Sequence, residues 1–590
     1  MRFLTVAALV NFLLTLPAYA QWDAEPEAST EATAESAAAP VRAERYLAVA
    51  ANPHASRAGA EILAAGGSAA DAAIAMQMVL GLVEPQSSGV GGGGFLLHYD
   101  KAKSETIAYD GRETAPMATD ETLFLDESGE PMGFREAAFG GRAVGTPGAI
   151  AMLEMVHEDQ GKLEWARLFA PAIRLAREGF AISPRLHGLL ERHAAIFSEQ
   201  GLGRDDLGEA GRYFFTEAMQ PKPVGSILRN PAYAATLERI ARDGAEAFYE
   251  GPLAKAIVEA VRDNPFAAGK LSLEDLDTYA PRRTEPVCGP YRAVRVCSMG
   301  PPSSGATTLL AMLGILDGFD LAALDPDSAQ AVHLFAEAGR LAYADRALYT
   351  ADDAFFPVPV DGLIDPAYLS QRRQLIDPER AMAEVRAGEP PRKQGFYLSP
   401  HRSREIPSTS HLVAVDAAGD VVSFTTTVQI AFGSFVMTNG FLLNNELTDF
   451  SFAPRRDGML VANRVEPGKK PRSSMTPTIA FDEAGRVRFA VGSPGGSRII
   501  SYVAKAVTGL VDHGMTIQAA IARPNRVGRG NEIDLESGTP LEAIAEELRA
   551  MGHTVELGEM TSGLHGLTVH YGEDGEVAYY LGGADPRREG

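Results

Sequence analysis

The chain has 590 residues, of which 45% are hydrophobic and 22% charged, and a formal net charge of −23 at pH 7. That length exceeds what one hydrophobic core normally supports and predicts two lobes or one large layered domain. The negative balance, unrelieved by any long Lys/Arg run, repels polyanions and argues against nucleic acid and anionic membrane surfaces as partners.

The N-terminus, MRFLTVAALVNFLLTLPAYAQW, has a basic start at Arg2, an apolar run of roughly fifteen residues and a small-x-small ending at Ala20. This is the layout of a secretory signal, residues 1–20, with cleavage after Ala20 and a periplasmic or secreted destination. A membrane anchor is the competing reading, but the run falls short of the ~20 residues a spanning helix needs. No later run is long enough either, so no membrane span is expected in the mature chain. Residues 21–42 are Ala, Glu, Ser, Thr and Pro with little to bury, which predicts a disordered linker.

Residues 57–84 read as two Ala-rich helices separated by Gly66-Gly67, with Asp71 near the second start. A Gly-rich bend, SGVGGGGF, then feeds a strand, and TIAYDGRETAP reads as a second strand ending at Arg112. Helical patterns dominate from about 145 to 400. Cys288 and Cys297 are the only cysteines and flank GPYRAVRV. Two thiols do not make a metal site; they either close a small disulfide across a hairpin or remain separate. From Thr409 onward strands with tight turns take over, with a helix in RIISYVAKAVTGLVDHG and a final strand pair in LTVHYGEDGEVAYYLGG. Strand layers bracketed by helices predict an α/β (α+β) fold, a four-layer αββα sandwich.

The hairpin STSHLVAVDAAGDVVSFTTTVQ can be registered by hand. A three-residue loop at 417–419, with Gly419 in the positive-φ position, sets Asp416 against Asp420 and therefore Thr409 against Thr427. Thr409 is then either a strand-starting hydroxyl or half of a reactive pair. Glu446 and Asp449, in FLLNNELTDFS, form a solvated turn or an anionic pocket for an ammonium group. Ser473 and Ser474 stand just before a strand. In FAVGSPGGSRII a strand turns through Gly495 and Gly496 into a helix, leaving backbone N–H groups where developing negative charge is favoured. The run SGVGGGGF lacks a Gly-Lys-Ser/Thr ending and fits no nucleotide fingerprint, and neither a Gly-x-Ser-x-Gly elbow nor a His-Glu-x-x-His helix occurs.

In order, GGSAADAAIA, SGVGGGGF, DGRETAP, PPSSGA, AYADR, STSHLVAVD, LLNNELTDFS, KKPRSSMTPT, GSPGGSRII and ADPRREG resemble the γ-glutamyltranspeptidase family of N-terminal-nucleophile hydrolases. The resemblance implies self-cleavage between Ser408 and Thr409 into a large subunit, 43–408 after the linker, and a small subunit, 409–590, that remain a heterodimer. Thr409 becomes the nucleophile, its new α-amine the base, and Thr427 its hydrogen-bond partner. Gly495 and Gly496 form the oxyanion hole. Glu446 and Asp449 hold the substrate's α-ammonium, while Arg112, Ser473 and Ser474 hold its α-carboxylate. The implied reaction cleaves the γ-glutamyl amide of glutathione or a relative and passes the acyl group to water or an acceptor amine, with no metal or organic cofactor.

Two departures stand out. Gln429 replaces the asparagine many bacterial members have two residues after the second threonine. The segment between Asp449 and Ser473 is short and lacks the lid tyrosine, which predicts an open pocket and bulkier leaving groups. A glutaryl or cephalosporin-type acylase is the runner-up, and a non-catalytic, unprocessed homologue is the reading from another class.

Overall fold

A computed structural model describes residues 39–392, 398–401 and 408–589. The expected signal segment and nearly all of the linker lie outside the described residues. Among the described residues no helix is long and apolar enough to cross a membrane.

Among the described residues thirteen strands build two stacked sheets. In chain order they are β1 Val41–Ala43, β2 Leu47–Ala50, β3 Gly93–Asp100, β4 Glu105–Asp110, β5 Arg282–Thr284, β6 Val287–Tyr291 and β7 Val294–Ser298, then β8 Ser410–Val415, β9 Val421–Thr427, β10 Thr478–Phe481, β11 Val487–Gly492, β12 His565–Tyr571 and β13 Val577–Ala584. The front sheet runs β2-β8-β9-β3-β4-β5 and the back sheet β1-β13-β12-β11-β10-β7-β6. Every neighbouring pair is antiparallel.

Period-two alternation decides what each sheet faces. In β8, Leu412 and Ala414 join a core made with α1 (Pro53–Ala64) and α2 (Ala69–Val83), while Val413 and Val415 point the other way. There they meet Ile479, Phe489 and Leu567 of the back sheet, which is covered in turn by α4 (Gly305–Leu316), α5 (Ala329–Tyr349) and α6 (Ile499–Val511); α3 (Ala149–Gln160) packs in the first core. Helix, sheet, sheet and helix thus stack as expected from strand layers bracketed by helices. Each fully buried Leu, Ile or Phe contributes about 1.5–3 kcal/mol.

Local chemistry explains the element ends. Gly66, at φ +88, closes α1, and Ser68 with Asp71 forms a capping box that opens α2. The β8–β9 turn has Gly419 at φ +89, with Thr426 opposite Ser410 and Val421 opposite Val415, the hand-drawn register. Cys288 and Cys297 lie directly opposite on β6 and β7, Cα atoms 4.1 Å apart, and are bridged. The linker boundary needs correcting: residues 41–43 pair with the β13 edge, and the Arg42 guanidinium lies 3.9 Å from the Tyr579 ring centroid, so ordered chain begins before residue 43.

Candidate active site

Thr409 immediately precedes β8, on the face that looks toward the back sheet. Its hydroxyl donates to Thr427 Oγ1 at 3.2 Å, and the Gln429 N–H donates to the same oxygen at 2.8 Å. Thr409 has φ +146, a conformation essentially reserved for glycine, so a β-branched residue there is strained. The preceding Ser408 is buried and fixed by its own hydroxyl, which donates to Gln86 O at 2.6 Å. On the opposite face of β8, Ser410 donates to Glu84, whose other oxygen lies 3.5 Å from Arg185.

Ser408, Thr409 and Thr427 share a small cavity with Arg112, Gln429, Glu446, Asp449, Ser473, Ser474 and Gly496. Met475 and Ile499 complete its lining; neither stood out in the sequence, where each reads as an ordinary core residue. Gly495 does not line it. Gly495 and Gly496, at φ +138 and +56, form the turn that leads through residues 496–498 into α6, so the N-terminal end of a 13-residue helix abuts the cavity. A Cβ on Gly495 would meet the Tyr502 ring at 2.7 Å.

The far end is charged. Arg112 donates through Nη1 to Glu446 and through Nη2 to Asp449 at 2.6 Å; Nε and Nη2 also reach Pro471 O and Arg472 O at 3.0 and 3.1 Å. Burial opposes the Arg112 charge, but Glu446, Asp449 and Glu113 outweigh it and hold its pKa above the ordinary arginine value. Burial pushes the Glu446 carboxyl well up despite Arg112. Gln429 Nε2 donates to Asp449 Oδ1 at 3.1 Å, and Asn463 Nδ2 donates to the Asp449 carbonyl at 2.7 Å.

The serines are framed by two motifs far upstream. Ser304 donates through N and Oγ to Ser473 O at 2.9 and 2.7 Å, and Arg346 bridges Ser304 Oγ and Ser474 Oγ at 2.7 and 2.5 Å. The Ser474 oxygen accepts from a guanidinium, which turns its proton elsewhere.

Thr409 is 4% exposed and Asp449 7%. The short segment after Asp449 folds back on itself, with Ser451 N bonded to Asn463 O, and a hairpin at Arg455–Arg456 and Met459–Val461 pairs with Leu398–Ser399. In the uncut chain Ser408 also forms part of the wall.

A family model described as gamma-glutamyltranspeptidase matches residues 55–590. The chain belongs to the γ-glutamyltranspeptidase family. It is 36% identical over 554 residues to the glutathione hydrolase proenzyme of Bacillus subtilis (strain 168), covering 92% of this chain and 90% of that protein. The acylase ACY 1 proenzyme of Pseudomonas sp. (strain V22) is 36% identical over 523 residues, 88% of each chain. Among solved structures, a cephalosporin acylase from Bacillus halodurans superposes with a TM-score of 0.80 at 26% identity, covering 94% of this chain and 96% of that one. The sandwich is thus that of the N-terminal-nucleophile hydrolases, and the chain is an enzyme of this γ-glutamyltransferase and hydrolase group.

Proposed function

We propose that the chain is an exported proenzyme that cuts itself between Ser408 and Thr409 and then hydrolyses or transfers γ-glutamyl groups, glutathione being one donor. The observation that carries this reading is Thr409 itself: strained at φ +146, hydrogen-bonded to Thr427, and sharing one cavity with a buried Arg112–Glu446–Asp449 cluster.

In the first step Thr409 Oγ attacks the Ser408 carbonyl carbon and the peptide nitrogen leaves with the hydroxyl proton, giving an ester and a free α-amine. Water then hydrolyses the ester, releasing the Ser408 carboxylate and restoring the hydroxyl. The α-amine titrates near 7.7–8.0 and serves as base in the second reaction. Thr409 Oγ attacks the γ-carbonyl of the donor, the oxyanion faces the N–H groups of the turn that Gly495 opens and Gly496 brings to the cavity wall, and the amine product departs with the proton. Water or an acceptor amine then takes the γ-glutamyl group from Thr409. Glu446 and Asp449 hold the α-ammonium. Ser473 and Ser474 hold the α-carboxylate with the charge of Arg112 beside them, four of whose five N–H groups are already engaged.

Intact mass and a denaturing gel of purified protein test this. Two pieces, 21–408 and 409–590, are expected, with Thr409→Ala remaining whole; an uncut wild-type chain overturns the reading. A second reading, a glutaryl or cephalosporin-type acylase, draws on the similarity to the two acylases. Chromogenic γ-glutamyl and glutaryl amides separate the two, and faster glutaryl turnover favours the acylase. The signal-like N-terminus supports a periplasmic or secreted location, checked by cell fractionation.

A further inference from the structure

Three carboxyl groups crowd one guanidinium at the charged end of the cavity. Glu446 and Asp449 touch Arg112 directly, whereas Glu113 Oε2 stands 4.0 Å from Arg112 Nη1. Lys470, a cation that also acts on Glu113, is committed to Asp110 at 2.7 Å. Two tyrosines face the same region, but Tyr249 donates to Pro147 O and Tyr279 to Arg112 O. Glu113 is fully buried, and among the described residues its carboxyl oxygens meet no donor beyond its own backbone N–H. Even the glycine run is shaped around it: a Cβ on Gly93 would lie 2.6 Å from Glu113 Oε2.

A buried carboxylate without donors is costly, and three around one arginine leave two negative charges uncompensated. Burial pushes the Glu113 carboxyl up to about 8, Arg112 pulling against it, and burial also raises Glu446. The two titrate as a pair. Both carboxyls rise, but direct contact with the guanidinium favours the charged form at Glu446, which leaves Glu113, 4.0 Å away, the better seat for one shared proton.

We propose that Glu113 is a specificity-determining residue that holds a proton in the empty site and surrenders it to solvent when a ligand's α-ammonium docks on Glu446 and Asp449. The exchange balances: a neutral acid and an ammonium ion become a carboxylate facing that cation, plus one proton in water. A ligand's α-carboxylate does not cancel the effect, because it lands at the serines, where Arg346 stands behind Ser474. Glu113 therefore favours acyl groups that carry an ammonium over those, such as glutaryl, that do not. This rests on the γ-glutamyl reading above.

The test is calorimetric titration of the processed enzyme with L-glutamate and with glutarate at pH 7, each in two buffers of different ionisation enthalpy. L-Glutamate is expected to release about one proton per site at pH 7 and almost none well above pH 8, where the acid is already ionised. Glutarate is expected to release none and to bind at least roughly tenfold more weakly. In Glu113→Gln, which preserves the shape of the neutral acid, L-glutamate release disappears and binding weakens roughly tenfold. Binding of L-glutamate without proton release, or release undiminished in Glu113→Gln, overturns the proposal. Absence of any L-glutamate binding instead overturns the γ-glutamyl reading itself. Should Glu113→Gln fail to fold, the wild-type comparison of the two ligands decides alone.

Discussion

Gln429 Nε2 reaches Asp449 Oδ1 across 3.1 Å from a backbone held at φ +83. Left-handed backbone favours asparagine over glutamine, yet the extra methylene is what spans the gap. Gln429→Asn is therefore expected to relax the backbone while losing the contact. We expect KM for a γ-glutamyl amide to rise about tenfold, the scale of a lost hydrogen bond to a charged group, with Tm unchanged or slightly higher. An unchanged KM would mean that Asp449 is positioned by Asn463 alone.

The backbone at Thr409 predicts an asymmetry between two inert variants. Thr409→Ala and Thr409→Gly both lack the hydroxyl and stay uncut, but only glycine relaxes at φ +146. Strain relief of about 1–3 kcal/mol less the entropic cost of glycine leaves Thr409→Gly more stable by about 1 kcal/mol. Denaturant midpoints of the two measure this; equal midpoints, or a more stable alanine variant, would show that the residue is not strained.

Burial holds His98, His193 and His565 at about 4, below the ordinary 6.5, and lowers His411 well below it too. Their folded-state values are depressed, so between pH 4 and 6.5 the unfolded chain binds more protons and stability falls as pH drops. Each contributes a slope of up to about 1.4 kcal/mol per pH unit. Urea midpoints should therefore decline from pH 7 to pH 5. His193 sits among Phe139, Phe197, Phe432 and Phe435, and His193→Phe is expected to make that decline shallower. A decline as steep in the variant would assign the effect to other groups.

Asn463 ties two parts of the site together, donating to the Asp449 carbonyl and accepting from Arg472 N at 2.9 Å. Asn463→Ala leaves both backbone groups buried without it. A loss of about 1–3 kcal/mol is expected, together with a higher KM. A variant with wild-type KM would show that the ammonium-binding end is held without this tie.

The Thr409–Thr427 pairing was legible because local rules determine it: loop length sets the hairpin register, and alternation puts both residues on one face. The charged residues could be named but not their mutual arrangement. The sequence reading gives Arg112 a ligand's carboxylate as partner; in the fold it is also bound by Glu446 and Asp449, which lie more than 330 positions away. Glu113, Arg346 and Asn463 went unremarked for the same reason: each acts through a tertiary contact that no local pattern encodes. The disulfide was open in the sequence, because the nine-residue separation fits a bridge only if the two strands pair in direct register, as β6 and β7 do.

The strand order has a consequence for how the mature enzyme persists. β8 and β9, which follow the proposed cut, are flanked in the front sheet by β2 and β3, which precede it; the back sheet likewise mixes β1, β6 and β7 with β10 to β13. Once the chain is severed, the two polypeptides remain interwoven like clasped fingers, and neither owns a complete core. They cannot come apart without dismantling both sheets, and after unfolding they must find each other by diffusion. Refolding that is unimolecular in the precursor becomes concentration-dependent in the product, so the processed enzyme depends for its lifetime on never opening.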